Sequence, residues 1–164
     1  MKQITAIFLS MMVFVIFLFT SGCKKDQALT HITDFENKIN TAVNNYRATK
    51  GLNFIILQYL MVEDAQNHSK KMASGSVPYG VNSMDEVMIN LNTLKNNLGG
   101  DALGAVVQFS ESENADTILN RMVRDPLKRQ VLEGNFNQTG VGSAKDAASG
   151  KWYVTQTFIN IPKK

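Results

Sequence analysis

The feature that most constrains this chain is a charge-free apolar run, Ile4 to Thr20, between Lys2 and the small residues Ser21-Gly22 ahead of Cys23. A positive start, an apolar stretch and a small-residue site form the pattern of a secretory signal. The run is near the lower limit for spanning a bilayer. Residues 1–22 therefore leave the folding problem, and about 140 of the 164 residues remain. That length suits one domain with a core of its own. Cys23 is the only cysteine. The exported part has no internal disulfide and depends on apolar packing.

Ser21-Gly22-Cys23 resembles the lipobox of bacterial lipoproteins, although Thr20 stands where leucine is usual. The resemblance implies that Cys23 becomes the N-terminus and carries acyl chains. The competing reading is a transmembrane anchor with an incidental cysteine. Lys24 to about His31 is short and polar, so the expected organisation is a signal peptide (1–22), a tether (23–32) and a domain (33–164). Lys24 and Lys25 each add on the order of 1 kcal/mol of attraction near an anionic surface. Lys24 is not the acidic residue associated with inner-membrane retention, which favours an outer membrane in a two-membrane host. The net charge of +3 is small and its signs are interspersed. This excludes a nucleic-acid footprint.

Within 33–164, Thr33-Asp34-Phe35-Glu36 fits a capping box, and Phe35, Ile39, Val43 and Tyr46 recur at helical spacing up to Lys50-Gly51. A second stripe (Leu57, Met61, Ala65, His68, Met72) predicts a helix over about 57–74. Residues 76–82 read as a loop. Ser83 to Glu86 reads as another capping box before Val87, Leu91, Leu94 and Leu98. Ala102 to Phe109 reads as a strand. Ser110 and Glu113 are expected to cap a fourth helix that Pro126 ends. Thr139 to Ser143 and Lys151 to Ile159 read as a strand pair, the latter alternating with Trp152, Val154, Gln156 and Phe158 on one face. Helices around about three short strands make an α+β layered domain.

The order of these pieces resembles the CAP superfamily: cysteine-rich secretory proteins, antigen 5 and pathogenesis-related proteins, also called SCP-like. Asn44 to Leu52 is similar to its "N-x-x-R-x-x-x-G-L", and Ala65 to Ala73 to its "A-x-x-H-S-x-x-M-A". Asp125 to Arg129 resembles "S-P-x-H-R". Asn135-Phe136 with Gly140-Val141-Gly142 resembles "N-x-F…G-V-G", and Trp152 to Phe158 resembles the closing "Y-x-x-Q-x-F". The resemblance spans about Phe35 to Ile159 and implies an α-β-α sandwich with a small antiparallel sheet. Many members have a cleft with two histidines and acids that sometimes holds a divalent metal. Here the corresponding positions are Gly80, Ala105 and Lys128. Glycine and alanine offer no ligand, and lysine must lose a proton to ligate. The resemblance thus implies the scaffold while its metal ligands are missing, and no cofactor is expected.

Few other residues are candidates for chemistry. His31 reads as an exposed residue at the tether. His68 reads as a partly buried histidine held by a hydrogen bond, or as a cleft acid or base. Adjacent helical positions diverge, so Ser69 does not form a dyad with it. Asp85-Glu86 suits a helix start, as do Glu111 and Glu113, and neither pair reads as a two-carboxylate site. The sequons at Asn67 and Asn137 carry no meaning in a bacterial lipoprotein. The leading expectation is a membrane-anchored, non-catalytic domain that binds an envelope protein, a cell-wall component or an apolar small molecule. The lipid and sterol binding associated with the superfamily enters only as fold analogy. The alternatives are a hydrolase using His68 with Tyr79 or Lys128, and an unrelated α+β lipoprotein with accidental motif matches.

Overall fold

The computed structural model describes residues 31–80 and 83–163. The signal, Cys23 and most of the tether lie outside the described residues, as do Val81 and Asn82 of the loop at 76–82. No helix among the described residues is long and apolar enough to cross a membrane.

Helix α1 spans Asp34–Thr49. The expected capping box is present: Thr33 Oγ1 accepts from the Glu36 N–H at 3.2 Å, and the Glu36 carboxylate accepts from the Thr33 N–H at 2.8 Å. Phe35, Ile39 and Val43 are buried on one face. The helix stops at Lys50, followed by Gly51 at φ +68°, a conformation that favours glycine.

The next segment corrects the sequence reading. Ile56–Leu57 is a two-residue strand, β1, and helix α2 begins at Tyr59 and runs to Ala73. The N–H groups of Ile56 and Gln58 donate to Asn137 and Thr139 carbonyls. They are committed to the sheet and cannot join the helix. Helix α3 spans Asp85–Asn97. Ser83 is not its cap: the N-cap is Met84 without a side-chain bond, and Ser83 Oγ donates to the Gly80 carbonyl at 2.8 Å.

Strand β2 (Ala102–Ser110) follows, then α4 (Ala115–Arg124), α5 (Pro126–Leu132), β3 (Gln138–Lys145) and β4 (Trp152–Asn160). The cap of α4 is Asn114, not Ser110 or Glu113, and Ser110 is the last residue of β2, paired with Trp152. Pro126 does end α4. It also opens α5, which the sequence reading lacked, because proline at the first helical turn loses no hydrogen bond and the Asp125 carboxylate accepts from the N–H groups of Leu127 and Lys128.

The sheet order is β1-β3-β4-β2, with β1-β3 parallel and the rest antiparallel. The alternation along β4 sorts the layers as expected. Val154 and Phe158 face a core with Phe35, Ile39, Val43, Ile118, Met122 and Leu132 from α1, α4 and α5. Ile159 faces Met61 of α2 and Leu91 of α3. The result is the α-β-α sandwich. Gly140 and Gly142 let α2 lie directly on the sheet. A Cβ on Gly142 would sit 2.0 Å from the Gln66 nitrogen, and one on Gly140 would sit 2.2 Å from the Met61 carbonyl carbon.

Motif residues brace the connections. Asn44 bonds both backbone groups of Ile55, and Asn137 bonds both of Ile161. Arg47, 1% exposed, donates to the carbonyls of Asn53, Leu132, Gly134 and Phe136. Its buried guanidinium thus ties the loop after α1 to the α5–β3 connection.

Candidate functional site

Strand β2 is an outer strand, so part of its backbone is unpaired by the sheet. Over this edge Lys128, one of the three positions singled out above, meets Gln108 and Tyr79. Lys128, from α5, donates from Nζ to Gln108 Oε1 at 2.9 Å and to the Tyr79 hydroxyl at 3.2 Å. The Tyr79 hydroxyl donates to the Val107 carbonyl at 3.4 Å. The Tyr79 ring packs edge-on against Phe109, with centroids 5.2 Å apart, and tilted against Tyr153. Asp125 Oδ2 lies 3.8 Å from Lys128 Nζ. Arg121 continues the cover by donating to the Phe109 carbonyl at 3.0 Å and pairing with Glu111. The edge is covered by side chains rather than left as a template for another strand.

Ala105 is paired with Thr157 and joins an apolar cluster with Met72, Met84 and Val107. Gly80 has φ +128° and its carbonyl accepts from Ser83. A divalent cation does not fit this set. Two positions have no donor atom, the third is an ammonium already directed at an amide oxygen, and no group of three His, Cys, Asp or Glu among the described residues is placed to hold a metal.

His68 belongs to a separate network. It is 4% exposed. Its Nε2 lies 2.9 Å from the Ser83 carbonyl oxygen and 3.1 Å from Ser83 Oγ, and its Nδ1 lies 2.8 Å from Thr155 Oγ1. A carbonyl only accepts, so Nε2 carries the proton and Nδ1 accepts from the threonine hydroxyl. Burial pushes the His68 imidazole below its ordinary value and Lys71 adds to this; the Ser83 carbonyl and Glu86 oppose them. The Ser69 hydroxyl, 3.0 Å from Thr155 Oγ1 and 2.9 Å from the Gly142 oxygen, extends the network to β3. It is linked to His68 through Thr155 rather than as a nucleophile beside a base. Of the three residues named for a hydrolase, the structure brings Tyr79 and Lys128 together and gives His68 other partners. His31 is exposed, and its carbonyl accepts from Gln66 on α2.

One feature escaped the sequence reading. A groove of about 310 Å³ opens between α2 and α3, lined by Asp64, Asn67, His68, Lys71, Glu86 and Asn90 among others. Burial raises the Asp64 carboxyl, against the opposing hydrogen bond from Asn90. The bond from Lys71 lowers Glu86, which sits in the first turn of α3 as expected and crosses to α2. The spacing held the signal: Asp64, His68 and Lys71 share one face of α2, and Glu86 and Asn90 share one of α3.

A helix-sheet-helix sandwich with this motif order defines the class. The sequence model of the CAP (cysteine-rich secretory protein) family matches residues 41–158, and the chain belongs to that family. Among curated proteins, none matches the chain. Solved structures share the fold. An outer surface protein from Borrelia burgdorferi is 11% identical, with a TM-score of 0.59 over 81% of this chain and 99% of that one. A cysteine-rich secretory protein from Staphylococcus aureus is 16% identical, with a TM-score of 0.60 over 77% of this chain and 38% of that one. An extracellular SCP-domain protein from Bacillus anthracis is 20% identical, with a TM-score of 0.58 over 77% of this chain and 40% of that one. The chain thus spans about two fifths of each of the last two.

Proposed function

We propose that this CAP-family protein is anchored at the bacterial cell envelope by lipid on Cys23, the outer membrane being the favoured site, and works there by binding rather than by catalysis. The observation that carries the second half is the Lys128–Gln108–Tyr79 cluster. Where a metal-dependent cleft needs open ligands, a cation is fixed on an amide and a phenol. His68, the one buried histidine among the described residues, has partners on both ring nitrogens. A general base needs a free acceptor facing its substrate. The open groove between α2 and α3 is the site we assign to a small polar group of an envelope component, because it presents both charge signs and amides.

Two measurements test the two halves. Mass spectrometry of the exported protein is expected to find acyl chains on Cys23; an unmodified Cys23 would refute the anchor. Calorimetric titration with zinc is expected to show no tight binding. Tight zinc binding lost on His68→Ala would overturn the non-metal, non-catalytic reading.

A further inference from the structure

At the opposite end of the sheet from Tyr79 and Lys128, the chain entering α2 is apolar and open. Phe54, Ile56, Tyr59 and Leu60 are 63%, 64%, 60% and 56% exposed. They make up half of the eight large hydrophobic residues exposed among the described residues, gathered within seven positions. Phe54 and Ile56 also line a groove of about 790 Å³, shared with Asn137, Asn160, Ile161 and Lys163. The groove lining holds a lysine and several amides, and no acid. Large apolar side chains exposed this close together along the chain are the mark of an interaction site. Aromatic and aliphatic tips fringed by lysine and amides suit the boundary between lipid head groups and acyl chains.

The path of the chain identifies the occupant. His31 is fixed beside Gln66, and Gln66 lies seven residues along α2 from Tyr59, about 10 Å by helical rise. The eight residues from Cys23 to Thr30 reach up to about 27 Å when extended. A lipid on Cys23 and the Phe54–Leu60 patch can therefore touch one bilayer at the same time.

We propose that Phe54, Ile56, Tyr59 and Leu60 form a membrane-contact surface that seats the β1 end of the sandwich on the bilayer bearing the Cys23 lipid. This rests on the anchored reading above. Two points of attachment hold better than one acyl signal. The β2 edge and its Tyr79–Lys128 cover then face away from the membrane.

Because Cys23 is the only native cysteine, a cysteine introduced at Tyr59 is the one free thiol once Cys23 is acylated. The full exported chain carrying Tyr59→Cys is spin-labelled and bound to vesicles of phosphatidylethanolamine and phosphatidylglycerol. A label at Leu127→Cys, on exposed α5, is the control. The expected result is several-fold lower accessibility of the Tyr59 label to an aqueous relaxation agent than of the Leu127 label. Adding Ile56→Ser and Leu60→Ser is expected to restore it. Equal accessibility at the two positions overturns the proposal. So does shielding that persists without lipid and tracks a dimer by light scattering, because the occupant is then a second copy. The mass of Cys23 in the exported native chain is read separately, and the Tyr59 label is also measured in a Cys23→Ser chain: an unacylated native Cys23 with a Tyr59 label still shielded on vesicles refutes the anchor and keeps the patch.

Discussion

Lys128 Nζ and Gln108 Oε1 are 2.9 Å apart, and this bond joins α5 to the outer strand β2. Its ammonium also meets the Tyr79 hydroxyl at 3.2 Å and lies 5.8 Å from the centre of the Tyr79 ring. Three elements distant in sequence are thereby closed over one strand edge.

The first prediction follows from that closure. Lys128→Met keeps the aliphatic stem and removes the donor, leaving Gln108 Oε1 and the Tyr79 hydroxyl without it. The expected loss is about 1 kcal/mol, read as a fall in Tm of a few degrees. If Lys128 also attracts an anion near the β2 edge, any chloride or phosphate dependence of Tm should vanish in the same variant. An unchanged Tm and unchanged salt response would remove Lys128 from any role in closing the edge.

The second concerns Arg47. Four carbonyls from two chain segments converge on its guanidinium. A lysine carries the charge but not the planar fork, so it cannot reach both segments. Arg47→Lys is expected to lower unfolding free energy by about 2 kcal/mol or more, since buried acceptors lose their donors. Urea denaturation checks it; a midpoint shift worth under ~0.5 kcal/mol would show the fork to be dispensable.

Legibility in the sequence followed length and locality. The capping box at Thr33 and Glu36, the stripe of α1 and the alternation of β4 were visible because each is set by residues a few positions apart. β1 was not, because two residues carry no period and their strand character comes only from bonding to Asn137 and Thr139. Ser83 read as a cap by spacing, yet its hydroxyl is drawn to Gly80 and His68. Likewise Lys128 was visible as a candidate by its motif, while Gln108, the partner that fixes it, comes from a strand whose pairing the sequence alone does not set.

The third prediction is steric. Gly142→Ala places a carbon about 2 Å from α2 backbone, which no rotamer relieves. The helix must lift from the sheet, and the cost is expected to reach about 3 kcal/mol. Gly150 provides the contrast. It has φ +72°, and a Cβ added there would meet nothing within 4 Å, so Gly150→Asn should cost under about 1 kcal/mol. Thermal unfolding followed by circular dichroism compares the pair; similar losses would mean that close approach of α2 does not govern Gly142.

The fourth prediction is a pH dependence with a definite sign. Burial lowers the His68 imidazole in the folded state relative to its ordinary value of 6.5. The unfolded chain therefore binds the proton more readily. The contribution is complete above the unfolded value and is lost as pH falls through that value toward the lower folded one. Asp64, raised by burial, acts in the opposite direction, and Glu86, lowered by its bond from Lys71, loses its contribution only as pH falls through its ordinary value of 4.5. The loss just below pH 6.5 should thus belong to His68. Protonation also places a second donor at Nδ1 against Thr155 Oγ1, so the threonine hydroxyl must turn and its bond with Ser69 must rearrange. Urea midpoints of the native chain are expected to fall between neutral pH and about pH 5. His68→Gln, with one donor and one acceptor of similar reach, should be less stable at neutral pH but nearly flat over the same interval. A variant that retains the full slope would place the titrating group elsewhere in the fold.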